Sequence, residues 1–62
     1  MSKVSIKDIE FVCNTIDVYL FPDEMDDVLN RYENWEESDK DENWLLVVEN
    51  FIYQILLEKQ RL

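Results

Sequence analysis

The densest group of side chains able to do chemistry lies between residues 33 and 44, which read ENWEESDKDENW. This stretch holds six carboxylates, one lysine and two tryptophans. Carboxylates coordinate hard cations, transfer protons and attract basic partners. The stretch can therefore be interpreted in three ways: as a metal loop, as a charged surface for a partner, or as a solvated connector between helices.

A calcium loop is the first interpretation. Asp39, Asp41 and Asn43 match the first, third and fifth positions of an EF-hand loop. The match then fails, because Trp44 stands where the loop needs glycine and Asn50 where it needs a bidentate glutamate. Zinc and di-iron sites are also disfavoured, since the chain has no histidine and a single cysteine. We expect no metal and no cofactor.

Catalysis is the second chemistry that carboxylates suggest. A carboxylate pair can hydrolyse glycosides, but it needs a cleft that raises one pKa, and a short helical chain has little interior to form one. With fifteen acidic residues, pairs at any spacing arise by chance. Neither a glycine-rich phosphate loop nor a Ser/His/Asp or Cys/His set is present. The sequence therefore indicates a protein that is not an enzyme.

The remaining interpretations concern the acidic middle of the chain. The formal net charge is −9, and residues 23–42 hold ten carboxylates against two basic residues. Nucleic acids and anionic membranes repel such a chain, whereas a basic protein surface attracts it. The candidate partner-binding carboxylates are Asp23, Glu24, Asp26, Asp27, Glu33, Glu36, Glu37, Asp39, Asp41 and Glu42.

Carboxylates spaced by three and four on a helix lie about 5–6 Å apart, comparable to phosphates along a DNA strand. Such a helix can occupy the Lys/Arg track of a nucleic-acid-binding protein, with Tyr32 and Trp35 as aromatic anchors. In composition the chain resembles the small acidic nucleic-acid mimics that phages use against host factors, without matching a family motif. The prediction is a module that inhibits a basic partner of the nucleic-acid-binding kind. The alternative is a charged run that only aids solubility.

Helices must position these residues, because a chain without glycine is poorly suited to tight hairpin turns. The first predicted helix runs from Ser5 to Leu20, with Ser5 as N-cap and Asp8 completing a capping box. Its apolar residues recur at helical spacing: Ile6, Ile9, Cys13, Ile16 and Leu20. Residues 15–21 are rich in β-branched and aromatic types and also fit a strand. The helix is favoured there, and the strand stays open.

Two further helices are predicted. Pro22 begins the second, whose first turns are acidic and whose apolar stripe is Met25, Val28, Leu29, Tyr32 and Trp35. The third is capped at Ser38 or Asp39 and is apolar from Trp44 to Leu57.

The third helix is apolar around too much of its circumference for two short helices to cover. One row comprises Trp44, Val48, Phe51 and Ile55, a second Leu45, Ile52 and Leu56, and Leu46, Tyr53 and Leu57 lie away from both. We therefore expect an all-α hairpin or bundle of two or three helices that forms a homodimer through Trp44, Val48, Phe51, Ile52 and Ile55. The alternative function is a structural or adaptor module that recruits a partner helix on this apolar surface.

Length and cysteine content set the remaining expectations. A chain of 62 residues has room for one domain, of marginal stability. Cys13 is the only cysteine, which suits a reducing compartment and a role as a small buried hydrophobe. No signal peptide and no apolar run of about 20 residues is evident. The predicted location is the cytoplasm, without membrane contact.

Overall fold

Three α-helices make up the described part of the chain. The computed structural model describes residues 4–35 and 42–60. Helix α1 is Ile6–Thr15, α2 is Pro22–Asn34 and α3 is Trp44–Glu58, and each packs against the other two. No strand occurs in these two ranges. The predicted all-α class and the bundle are confirmed, while self-association stays a prediction.

Helix α1 begins as the sequence predicts. The backbone N–H of Ser5 donates to Asp8 Oδ2 at 2.9 Å, which forms the reciprocal half of a capping box. The carboxylate also lies in the first turn, where the helix dipole favours negative charge. Ser5 and Asp8 therefore fix the start of the helix.

The end of α1 differs from the prediction. The expected helix through Leu20 is wrong, and residues 18–21 adopt neither helix nor strand. Asp17 takes the left-handed conformation, with φ 59°, and the N–H of Val18 donates to the carbonyl of Cys13 at 2.9 Å. This is a Schellman ending, which satisfies terminal carbonyls and redirects the chain. The reversal places Leu20 in the core.

Helix α2 begins at Pro22, as predicted. A proline is tolerated there because the first N–H of a helix has no intrahelical acceptor. The N–H of Phe21 donates to Glu24 Oε1 at 2.9 Å, so a carboxylate caps this helix as well. This second cap was not predicted from the sequence.

Helix α3 begins later than predicted. Its N-cap residue is Asn43 and its first residue is Trp44, so a cap at Ser38 or Asp39 is wrong. Those two residues lie outside the described ranges. At the other end Gln60, with φ 57°, takes the left-handed position that glycine usually fills. The glycine-free chain thus ends both α1 and α3 with polar residues at positive φ.

The core is formed by side chains from all three helices and from both flanks of α1. Its buried members are Val4, Ile9, Val12, Cys13, Leu20, Val28, Tyr32, Val47, Val48, Ile52, Ile55 and Leu56. Every buried side-chain nitrogen and oxygen in the described ranges has a hydrogen-bond partner. The outer side of α2 does not contribute to this core. It carries polar residues and the candidate surface.

Candidate partner-binding surface

The outer side of α2 carries a stripe of carboxylates, called here the acidic face. The acidic face consists of Asp23, Asp26, Asp27 and Glu33. Three of them are exposed and Asp27 is half-buried. Ten residues of helix separate the first from the last, which corresponds to about 15 Å along the axis. The structure therefore brings four of the ten predicted carboxylates onto one side of one helix.

Glu24 does not belong to this face, although the sequence analysis included it. It is only 4% exposed, and its carboxylate accepts the N–H of Phe21. Because Glu24 is buried and caps α2, its role is structural. The prediction that it contacts a partner is therefore discarded. Sequence spacing alone did not separate Glu24 from its exposed neighbour Asp23.

The other predicted carboxylates belong to the segment between α2 and α3. Glu42 is exposed just before α3. The remaining four lie outside the described ranges: Glu36, Glu37, Asp39 and Asp41. Their part in a partner surface stays a prediction.

Arg31 connects the acidic face to α3. Its Nε donates to Asp27 Oδ1 at 2.9 Å, and its Nη1 and Nη2 donate to the two carboxylate oxygens of Glu58 at 2.9 and 2.7 Å. The hydrogen bonds from Arg31 lower the pKa of Glu58, with the guanidinium charge acting in the same direction. This bidentate contact joins α2 to α3 at the protein surface.

The two predicted aromatic anchors have different surroundings. Tyr32 is fully buried in the core, so it cannot contact a partner, and its predicted role as an anchor is corrected. Trp35 is 37% exposed and packs edge-on against Phe51, with ring centroids 5.6 Å apart. Trp35 therefore has accessible surface at the end of α2, where it contacts α3.

The residues predicted to form a dimer interface lie mostly inside the molecule. Val48, Ile52 and Ile55 have no exposed surface, while Trp44 and Phe51 are half-buried. These three buried side chains are covered by α1 and α2 of the same chain, because all three helices share one core. The periodicity of α3 did not determine which of its apolar rows faces inward.

The exposed apolar side chains of α3 lie elsewhere. Leu45, Leu46 and Leu57 are exposed, and Tyr53 is half-buried. Leu46, Tyr53 and Leu57 are the residues that the sequence pattern placed away from both apolar rows. Any contact between copies through α3 would involve these side chains instead of the core row.

A cleft lies between α2 and α3. Its volume is about 710 Å³, and it lies beside the contact between Arg31 and Glu58. Its lining is Arg31, Asn34, Trp35, Val47, Asn50, Phe51, Gln54 and Glu58. This site was not predicted from the sequence. The feature of the sequence that could have indicated the cleft is the pair Asn50 and Gln54, which lie four residues apart within an otherwise apolar helix.

The described residues offer little for covalent or metal chemistry. Cys13 is buried, and burial, followed by the nearby charge of Glu10, raises the pKa of its thiol. A raised pKa favours the unreactive protonated form. Across residues 4–35 and 42–60, no group of three histidine, cysteine or acidic side chains is arranged to hold a metal ion.

Comparison of the chain with protein-family models, with curated proteins and with solved structures finds no match. None of the described helices is long and apolar enough to cross a membrane.

Proposed function

We propose that this chain is a non-enzymatic interaction protein that binds and inhibits a basic partner of the nucleic-acid-binding kind. The acidic face of α2 is the contact surface, and Trp35 supplies a short-range contact beside it. The partner is a protein in the cytoplasm, and the chain itself does not bind nucleic acid, because its formal net charge is −9.

The single observation that carries this proposal is the grouping of Asp23, Asp26, Asp27 and Glu33 on the outside of one helix. The four carboxylates extend over about 15 Å of helix axis. One strand of DNA presents about one phosphate per 3.4 Å of axis, which gives roughly four over the same length. Asp27 is ion-paired with Arg31, so the net charge of the acidic face approaches, but does not reach, that of one nucleic-acid strand over the same length.

The second feature that supports the proposal is the place of Trp35 at the end of α2. An exposed charge mainly accelerates the approach of a partner, whereas a partly exposed aromatic residue slows its departure. A surface with steering charges and an adjacent aromatic side chain combines both effects. Five further carboxylates follow Trp35 before α3 begins and would add to the negative charge: Glu36, Glu37, Asp39, Asp41 and Glu42.

The experiment uses the immobilised chain to capture proteins from a lysate of the source cell at low salt. Retained proteins are identified by mass spectrometry, and each is purified and titrated with the chain in the presence of labelled DNA or RNA. The proposal predicts a basic protein that releases its nucleic acid as the chain is added. A retained protein that keeps its nucleic acid at saturation would contradict inhibition.

Two variants separate the acidic face from overall charge. The first carries Asp23→Asn, Asp26→Asn and Glu33→Gln. The control carries three neutralised carboxylates outside the face: Glu10→Gln, Asp17→Asn and Glu49→Gln. Both variants lose three negative charges, so general attraction falls equally. Only the first should lose affinity for the partner, and equal losses in the two variants would count against a defined surface.

A second candidate function is a structural or adaptor module that self-associates or recruits a partner helix through α3. The observation in its favour is the exposure of Leu45, Leu46 and Leu57 on that helix. Leu46→Lys with Leu57→Lys should then abolish a homodimer seen in sedimentation equilibrium. A parent protein that sediments only as the 7.6 kDa species at micromolar concentration would remove self-association.

A further inference from the structure

The cleft between α2 and α3 combines three kinds of side chain at separate places. Carboxamides line both walls, with Asn34 on α2 and with Asn50 and Gln54 on α3. The paired rings of Trp35 and Phe51 form the apolar part. The Glu58 carboxylate, together with Arg31, lies at the opposite end from Val47 along α3. Each kind of side chain recognises a different part of a ligand.

We propose that this cleft binds an extended, arginine-containing segment of the basic partner. The inference rests on the proposed function and assigns the partner's contact to a second surface, adjacent to the acidic face. Asp27 links the two surfaces, because it belongs to the acidic face and accepts a hydrogen bond from Arg31.

The wall that α3 contributes to the cleft is long enough for a short extended peptide. From Val47 to Glu58, α3 rises by about 16 Å. An extended chain advances by about 3.3 Å per residue, so about five residues would lie along the cleft. Alternate side chains of such a segment point the same way, which would direct every second side chain toward the cleft floor.

The carboxamides suit a peptide backbone, because each carries both a donor and an acceptor. Asn34 and Asn50 project from opposite walls and are exposed, so a segment between them would find hydrogen-bonding groups on both sides. Gln54 is positioned by the cleft itself, since its Oε1 accepts from Arg31 Nη1 at 3.4 Å. Its amide NH₂ group is then directed away from that contact.

The charge pattern of the cleft selects a cation. The charges of Arg31 and Glu58, the two charged residues of the lining, cancel, and Asp27, which does not line the cleft but is ion-paired with Arg31, leaves one net negative charge. Each oxygen of Glu58 accepts one hydrogen bond from Arg31 and retains a lone pair for a second guanidinium. Trp35 is 37% exposed, and an indole ring can hold a guanidinium by a cation–π contact within about 6 Å of the ring centre.

An anionic ligand does not fit the same site. The guanidinium of Arg31 already faces two carboxylates, and the whole chain carries a formal net charge of −9. A nucleotide would meet repulsion over its entire approach. The carboxamides and rings therefore favour a peptide, and the charges favour arginine within it.

The test titrates the ¹⁵N-labelled full chain with the peptide acetyl-Ala-Arg-Ala-Arg-Ala-amide and follows side-chain N–H signals by NMR. The indole of Trp35 and the carboxamides of Asn34, Asn50 and Gln54 should shift saturably. The indole of Trp44, which does not line the cleft, serves as the internal reference. A peptide with citrulline in place of both arginines keeps the shape without the charge and should produce much smaller shifts.

Two matched variants test the role of the carboxamides. Asn50→Ala removes a cleft carboxamide, and Asn30→Ala removes an exposed carboxamide of α2 that does not line the cleft. Both changes favour helix, so both variants should fold. Loss of one hydrogen bond should weaken binding of the arginine peptide roughly three- to tenfold for Asn50→Ala. Asn30→Ala should bind like the parent.

The outcomes distinguish this inference from the proposed function. Shifts confined to backbone amides of the acidic face would overturn the cleft and leave the proposed function standing. Equal binding of the citrulline peptide would overturn recognition of arginine. Absence of any shift would also overturn the cleft proposal. The proposed function would then be judged by whether the captured partner releases its nucleic acid.

Discussion

Replacing Glu24 by alanine should destabilise the fold, whereas replacing its exposed neighbour Asp26 should not. The Glu24 carboxylate accepts the N–H of Phe21 at 2.9 Å, and the residue is 4% exposed. Loss of a helix cap typically lowers stability by about 1 kcal/mol, and loss of a hydrogen bond to a charged group by about 1.5–3 kcal/mol. The higher helix propensity of alanine and the reduced repulsion between carboxylates should offset about a few tenths of a kcal/mol of this loss of stability.

The expected loss is therefore about 1–2 kcal/mol in the free energy of unfolding. For a chain of this size, 1 kcal/mol shifts Tm by roughly 4–8 °C, so Glu24→Ala should melt roughly 4–16 °C below the parent. Asp26→Ala lies on the exposed side of the same helix and should stay within about 0.5 kcal/mol of the parent. Circular dichroism during thermal and urea unfolding measures both.

A third variant separates the cap from the charge. Glu24→Gln removes the negative charge but keeps a side-chain oxygen that can accept the N–H of Phe21. It should recover most of the stability lost in Glu24→Ala. Equal stability of Glu24→Ala and Asp26→Ala would refute the assignment of Glu24 to the fold. A Glu24→Gln variant as unstable as Glu24→Ala would instead assign the stabilisation to the charge of the carboxylate and refute the claim that a neutral acceptor oxygen is sufficient.

Three further results are expected. Asp17→Gly should raise stability by about 0.5–1 kcal/mol, because glycine tolerates positive φ without strain, and a lower Tm than that of Asp17→Asn would contradict this. Arg31 lowers the pKa of Glu58, so the contact stabilises the fold above the ordinary carboxyl pKa, and this contribution is lost as the pH falls through the lowered pKa. Glu58→Gln should therefore make the free energy of unfolding less dependent on pH in this acidic range. An unchanged acid unfolding curve would refute a stabilising contact between Arg31 and Glu58. Affinity for the captured partner should fall steeply with salt, since exposed charges are screened over about 10 Å at 0.1 M, and a flat affinity would favour the adaptor.

Local signals in the sequence were sufficient to predict where α1 and α2 begin. Ser5 with Asp8 and the single proline Pro22 act within one helical turn, so neighbouring residues determine the result. The end of α1 could not be predicted in this way. It depends on the left-handed conformation of Asp17. The free-energy cost of that conformation is offset by burial of Leu20 against the other helices.

The inward side of α3 could not be read from its own sequence. Five consecutive apolar residues, from Trp44 to Val48, give no clear helical period over the first turn. The packing of α1 and α2 decides that Val48 and Ile55 are buried while Leu46 remains exposed. The same dependence on packing explains why the cleft was missed, since its walls come from two helices.

The composition of α2 supports a role beyond folding. Asp23 lies three residues from Asp26 and four from Asp27, and like charges at these spacings each destabilise a helix by about 0.2–0.5 kcal/mol. The dipole favours carboxylates in the first turn, where Asp23 lies, but its effect declines within that turn. Asp26 and Glu33 therefore gain little from it. In a chain of only 62 residues, where stability is expected to be small, a row of carboxylates on one exposed side is not explained by helix formation. Solubility alone would be served equally by carboxylates distributed over all three helices. Their concentration on α2, next to Trp35 and the cleft, favours recognition of a basic partner.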